Sequence, residues 1–179
     1  ICFRVDTYSR SGKFIGSNYC TLDVVLPSGY GPTVTGITYT NEDAAIAKRF
    51  GASTIIQGVS KVKCNVSTST KNGATITYYQ NEIDGQSIPG PNSFFTTQPL
   101  KSSGIVVLKS TVTDSRGQKA TLSKNISVTQ WWSPTVKNVS AQRWNVKSNK
   151  ADDEGTAVKI TYSFSVAPVA NKNDKSVMI

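Results

Sequence analysis

Strict alternation of apolar and polar residues recurs along this chain and leaves room for little besides β-structure. Lys61-Val62-Lys63-Cys64-Asn65-Val66-Ser67 alternates, as does Ala74-Thr75-Ile76-Thr77-Tyr78. A β-branched stretch from Ile105 to Val112 is followed by the turn signal Asp114-Ser115-Arg116-Gly117 and a second run from Ala120 to Val128. A period of two puts successive side chains on opposite faces of a strand. Such runs, bounded by Gly, Asn and Asp and without a long helical period between them, indicate an all-β sandwich or barrel. Strands are expected near 33–39, 55–67, 74–82, 104–113 and 119–130, with shorter pieces around 86–97. The expected inward set is Val34, Ile37, Val62, Cys64, Val66, Ile76, Tyr78, Val107, Val112, Leu122, Ile126 and Val128. Asp84-Gly85 signals a two-residue hairpin, and Pro89-Gly90-Pro91-Asn92 a rigid loop at one pole. From Asn41 to Phe50 an Asn cap, early acids and late bases favour a short helical turn or loop.

A repeat sets the organisation. The chain reads Gly12 … Val24-Val25 … Tyr30-Gly31-Pro32-Thr33-Val34, and later Gly117 … Ile126-Ser127-Val128 … Trp132-Ser133-Pro134-Thr135-Val136. The turn glycines lie about 105 residues apart, the strand ends about 104 and the aromatic-x-Pro-Thr-Val blocks 102. Gly51-Ala52-Ser53-Thr54 has a counterpart in Gly155-Thr156-Ala157-Val158, and Val62, Cys64 and Val66 align with Phe164, Val166 and Pro168. A period near 100 residues is the size of an immunoglobulin-like sandwich and too long for a solenoid repeat. Proline after an aromatic marks the step between units. The expectation is therefore tandem Ig-like sandwiches: residues 1–31 the C-terminal hairpin of a preceding unit, 32–131 a complete domain, and 132–179 the N-terminal strands of a following unit. The chain, which starts at Ile1, reads as a window on a longer array whose cut ends lack their packing partners.

Composition removes several functions. Among 179 residues there is no histidine, so imidazole acid–base catalysis, Ser-His-Asp and Cys-His nucleophiles and His-ligated zinc are all excluded. No apolar run approaches membrane-spanning length, and residues 1–20 lack a signal-peptide layout, so no membrane insertion is expected. The 20 Lys and Arg against 11 Asp and Glu leave a net charge of +9. The lysines appear singly, many of them at outward strand positions, which argues against a nucleic-acid partner and fits attraction to an anionic surface such as a bacterial envelope polymer. Cys2 and Cys20 are either bridged across a hairpin or free thiols, and Cys64 reads as a small buried hydrophobe.

No catalytic, cofactor or metal residues are expected. Asp152-Asp153-Glu154 forms the one acidic cluster, without the ligand spacing calcium requires or a second acid across a cleft. The candidate surface contacts are Trp131, Trp132, Trp144, Tyr79 and Arg116. The tryptophans either stack on sugar rings or supply apolar mass at the joint between units. Tyr79 is the outward ring of the Tyr78-Tyr79 pair by alternation. In the 114–117 turn, Asp114 is expected to accept backbone N–H bonds while Arg116 projects into solvent.

The order Gln57-Gly58-Val59-Ser60-Lys61-Val62, Gly73-Ala74-Thr75-Ile76, Val112-Thr113-Asp114-Ser115-Arg116-Gly117 and aromatic-x-Pro resembles the repeated Ig-like domains of siphophage minor structural proteins. The first unit departs from that pattern, carrying Ser9-Arg10-Ser11-Gly12 where the aspartate would stand. The resemblance implies a virion location in the phage tail, partners among other tail proteins and host cell-wall carbohydrate, and no catalytic residues or cofactors. The expected function is a non-enzymatic tail protein acting as spacer and adhesion module in host-surface attachment. The alternatives are a bacterial surface adhesin or stalk of tandem Ig-like domains and an accessory domain of a cell-wall hydrolase.

Overall fold

The computed structural model describes every residue except Val24, Leu26, Ser28 and Ile179, so part of the Val24-Val25 landmark lies outside the described residues. The chain is mostly β and divides into two compact units, Ile1–Gly31 and Pro32–Ile179. The first unit is a hairpin of β1 (Cys2–Tyr8) and β2 (Phe14–Thr21), with a bulge between Thr7 and Tyr8. Cys2 is registered with Thr21 and Cys20 with Phe3, so the two cysteines sit on opposite faces and both thiols are free. The bridged reading is thereby corrected.

The second unit begins with β3 (Thr33–Asn41), α1 (Ala44–Phe50), β4 (Ile55–Ile56) and β5 (Val62–Ser69). It continues with β6 (Ile76–Ile83), β7 (Gln86–Gly90), β8 (Phe94–Thr96), β9 (Gly104–Asp114) and β10 (Lys119–Thr129). One sheet runs β3-β5-β8, the other β4-β10-β9-β6-β7, with β4 parallel to β10. Between them lies one core, in which Ile37, Val62, Cys64 and Val66 meet Ile83, Leu108, Val112 and Ile126.

Several expectations are revised here. Residues 55–67 are not one strand: Ile55–Ile56 joins one sheet and Val62–Ser69 the other, because Gly58 at φ 71 turns the chain and the Ser60 amide closes back on the Ile56 carbonyl. Tyr78 is 43% exposed while Tyr79 is buried. A bulge between Ile76 and Tyr78 adds one residue to β6 and reverses the parity beyond it. In β9 the unbroken alternation that buries Val112 also buries Val106 and Leu108, so Val107 faces out. The helix is capped by Asp43, whose carboxylate accepts from the amides of Ala45 and Ile46 at 2.8 and 3.1 Å. Asn41 is instead buried at the end of β3, donating to the Thr54 carbonyl and the Ser60 hydroxyl. The Asp84-Gly85 hairpin forms with both residues at positive φ, whereas Pro89 and Gly90 lie in edge strand β7 rather than a loop.

After β10 come β11 (Thr135–Asn145), β12 (Lys150–Ala151) and β13 (Ala157–Ser165) in a sheet of order β12-β11-β13. Its register matches that of β3 and β5. Thr33 pairs with Ser69 and Thr135 with Ser165; Val34 pairs with Thr68 and Val136 with Phe164, and each pair bulges just beyond. The second strand is thus displaced by 96 residues rather than 102, so Val62, Cys64 and Val66 correspond to Val158, Ile160 and Tyr162 instead of Phe164, Val166 and Pro168. The expected Gly51–Thr54 counterpart fails for the same reason, since a hairpin replaces α1 and β4. Gly155 serves that hairpin: a Cβ there would lie 2.5 Å from the Trp144 carbonyl oxygen.

Candidate functional site

Asp114 anchors the most elaborate turn. Its carboxylate accepts the backbone N–H groups of Arg116 at 2.9 Å and Gln118 at 2.8 Å. Burial alone would raise this carboxyl, but those two amides and the Arg116 guanidinium outweigh it and hold it below the ordinary carboxylate range. Arg116 does not project into solvent. Its guanidinium folds back onto Asp114 at 3.1 Å and donates to the Lys71 carbonyl, because a buried carboxylate is the strongest partner within its reach. It braces the turn and offers little surface. The first hairpin repeats the geometry with a hydroxyl: Lys13 N–H donates to Ser9 Oγ at 3.0 Å, and Gly12 N–H to the Ser9 carbonyl at 2.9 Å, as Gly117 does to Asp114.

Of the other candidates, Tyr79 belongs to the core and cannot touch a partner. Trp131 and Trp132 follow β10 with 38% and 37% of their surface exposed, and the Trp131 amide donates to the Gln57 side chain. Trp144 sits on β11, half-buried, with the Lys159 ammonium 3.9 Å from its ring centroid. The three tryptophans are not gathered into one site. The apolar cluster joining the C-terminal segment to the sandwich is made by Ala167 and Val169 against Ile56, Ile46 and Phe50.

Sequence reasoning missed Phe94, which is 62% exposed on β8 beside Thr38, Thr40, Lys63 and Asn65. Together they line a shallow groove on the outer face of the β3-β5-β8 sheet, where an aromatic ring adjoins hydroxyl, amide and ammonium groups. That arrangement can stack on a sugar face and hydrogen-bond its hydroxyls. The Phe94-Phe95 doublet on an alternating strand was the available signal. Asp152 is occupied locally, accepting from Asn145 Nδ2 and the Glu154 amide, and these hold its carboxyl below the usual range. Among the described residues no group of three or more acids and cysteines is placed to hold a metal, and no helix is long and apolar enough to cross a membrane.

The family model described as "Siphovirus protein of unknown function (DUF859)" matches residues 2–178. No curated protein and no solved structure matches the chain.

Proposed function

This chain belongs to a family of siphovirus proteins of unknown function, and from that membership we propose that it is a non-enzymatic minor structural protein of the phage tail. It acts there as a spacer and adhesion module in host-surface attachment. In this reading 32–131 is a complete Ig-like domain, 1–31 the closing hairpin of another and 132–179 the opening strands of a third. One observation carries the modular reading: the turn of β9–β10 and the register of β3–β5 recur at the two ends of the chain. Two facing sheets, with crossings from β5 to β6 and from β8 to β9, fit the Greek-key plan of such domains.

Adhesion is supported by the exposed rings of Trp131, Trp132 and Phe94 on a protein of net charge +9, suited to anionic wall polysaccharide. Repetition along a tail converts weak contacts into avidity. The test is retention of the full chain on purified host cell walls. Wild type should bind, more weakly at high salt, and Phe94→Ala and the double change Trp131→Ala/Trp132→Ala should each reduce retention several-fold. No retention at low salt would remove the adhesive role, and release of soluble sugar or peptide from the walls would overturn the non-enzymatic one. Antibody labelling away from the tail would overturn the location.

A further inference from the structure

The two outer faces of the sandwich treat their polar side chains differently. On the β4-β10-β9-β6-β7 sheet they satisfy one another. Gln80 Nε2 donates to Ser87 Oγ at 2.7 Å, the Thr111 and Thr121 hydroxyls share a hydrogen bond of 2.8 Å, and Lys109 Nζ lies 3.6 Å from the Glu82 carboxylate. On the β3-β5-β8 sheet the side chains of Thr38, Thr40, Lys63 and Asn65 are exposed and, among the described residues, have no hydrogen-bond or ion-pair partner in the protein. They surround Phe94, itself 62% exposed. Strand pairing sets them in two rows, Thr38-Asn65-Phe94 and Thr40-Lys63-Thr96. Strands about 4.8 Å apart, with a step of about 6.8 Å between rows, place Lys63 one sugar ring and its substituent away from Phe94.

Among the described residues no carboxylate lines this groove; Glu42 and Asp43, which follow β3, line a separate one with Val59 and Lys61. The pairing recurs in β11–β13, where Gln142 stands opposite Lys159 as Thr40 stands opposite Lys63. There the ammonium is taken up by the Trp144 ring, 3.9 Å from its centroid, whereas Lys63 stacks on no ring and is left for an anion. Phe94 also borders a second groove, over Pro89, Gly90, Pro91 and Asn92, which carries no charge. A ligand lying across the ring meets hydroxyl, amide and ammonium groups on one side and proline rings on the other.

We infer that the Phe94 groove is a subsite for the interior of a linear, acid-bearing polysaccharide. One sugar ring stacks on Phe94 and its hydroxyls bond Asn65 and Thr38. Lys63 takes the carboxylate or phosphate carried by that sugar, and the next sugar lies over Pro89 and Pro91. Lys63 is therefore the residue that selects acidic over neutral chains, and Phe94 the residue that holds either. This rests on the adhesive reading above and names its ligand.

The experiment is titration of the full chain, followed by amide chemical shifts, with soluble oligosaccharides of equal length: an oligogalacturonate, a phosphodiester-linked sugar oligomer and a neutral malto-oligosaccharide. At low salt at least one acidic oligomer should bind about tenfold more tightly than the neutral one, with shifts confined to β3, β5, β8 and the 89–92 segment. The tighter of the acidic pair names the anion. Lys63→Gln should bring the acidic oligomer down to the neutral level and leave the neutral one unchanged. Phe94→Ala should weaken both about tenfold. Trp131→Ala/Trp132→Ala should change neither, and free galacturonate should bind about tenfold more weakly than its oligomer, because it fills one side of the ring. Both substituted side chains are exposed, and the unshifted amides of the core report the fold. No binding of either acidic oligomer, a Lys63→Gln variant that weakens acidic and neutral oligomers alike or neither, or a monosaccharide that binds as well as the chain would each overturn the inference. If the oligomers fail while host walls still retain the protein, this site falls and adhesion stands; if the oligomers bind and walls retain nothing, the site stands without the adhesive role.

Discussion

Asp114 and Ser9 solve one problem with different chemistry. Each must satisfy the amide four residues on, where the chain reverses, and each leaves Gly at φ near 80 to close the turn. The carboxylate satisfies a second amide and holds Arg116 as well. Asp114→Ser should therefore keep the hairpin at a modest loss of thermal stability, whereas Asp114→Ala, which leaves those amides without an acceptor, should lose more. Calorimetry of the two orders them. The pH dependence follows in sign: Asp114 is held below its ordinary 3.8, so its contribution is present above that value and fades as pH falls through the depressed pKa. The serine variant should show a flatter acid limb. Cys64 runs the other way. Burial pushes its thiol from 9.0 up to about 12, so stability falls as pH rises across that interval, where the unfolded chain ionises and the folded one does not. At neutral pH a thiol reagent should label two cysteines promptly, Cys2 and Cys20, and reach Cys64 only at the rate of opening.

At the scale of elements, what was legible is what period two determines: strands at the alternating runs, the Asp84-Gly85 hairpin, and an inward set that holds for Val34, Ile37, Val62, Cys64, Val66, Val112, Ile126 and Val128. What was not legible is what pairing determines. A bulge at Ile76–Tyr78 is a property of β6 against β9, invisible in β6 alone, and one extra residue exchanged the two tyrosines. The Phe94 groove needed three strands brought side by side before its polar members could be recognised. This makes a sharp comparison available. Tyr79→Ala should cost about 3–5 kcal/mol by leaving a cavity between the sheets, while Tyr78→Ala on the solvent face should stay within about 1 kcal/mol. Urea unfolding monitored by tryptophan fluorescence measures both, and equal costs would return the register to strict alternation.

For the molecule as a whole, a contact between segments more than 100 residues apart is one that no periodicity could reveal. Residues 167–174 return to α1: Ala167 and Val169 pack on Ile56, Ile46 and Phe50, the Lys172 ammonium donates to the Phe50 carbonyl, and Arg49 pairs with Asp174. Val169, Ala170 and Asn171 all have φ between 38° and 58°, a conformation that is costly for a β-branched residue and persists only where the surroundings impose it. Burial of Val169, at 4% exposure, offsets part of that cost, by about 1.5–3 kcal/mol. The exposed Arg49–Asp174 pair contributes about 0–1 kcal/mol. Val169→Asp should thus free the segment and speed tryptic cleavage at Lys172 and Lys175 about tenfold or more, as local opening ceases to be rate-limiting. Arg49→Ala should change that rate only a few-fold, and the melting of the sandwich core should be the same in both. Equal cleavage in wild type and Val169→Asp would mean that the strained backbone is held by something other than this cluster.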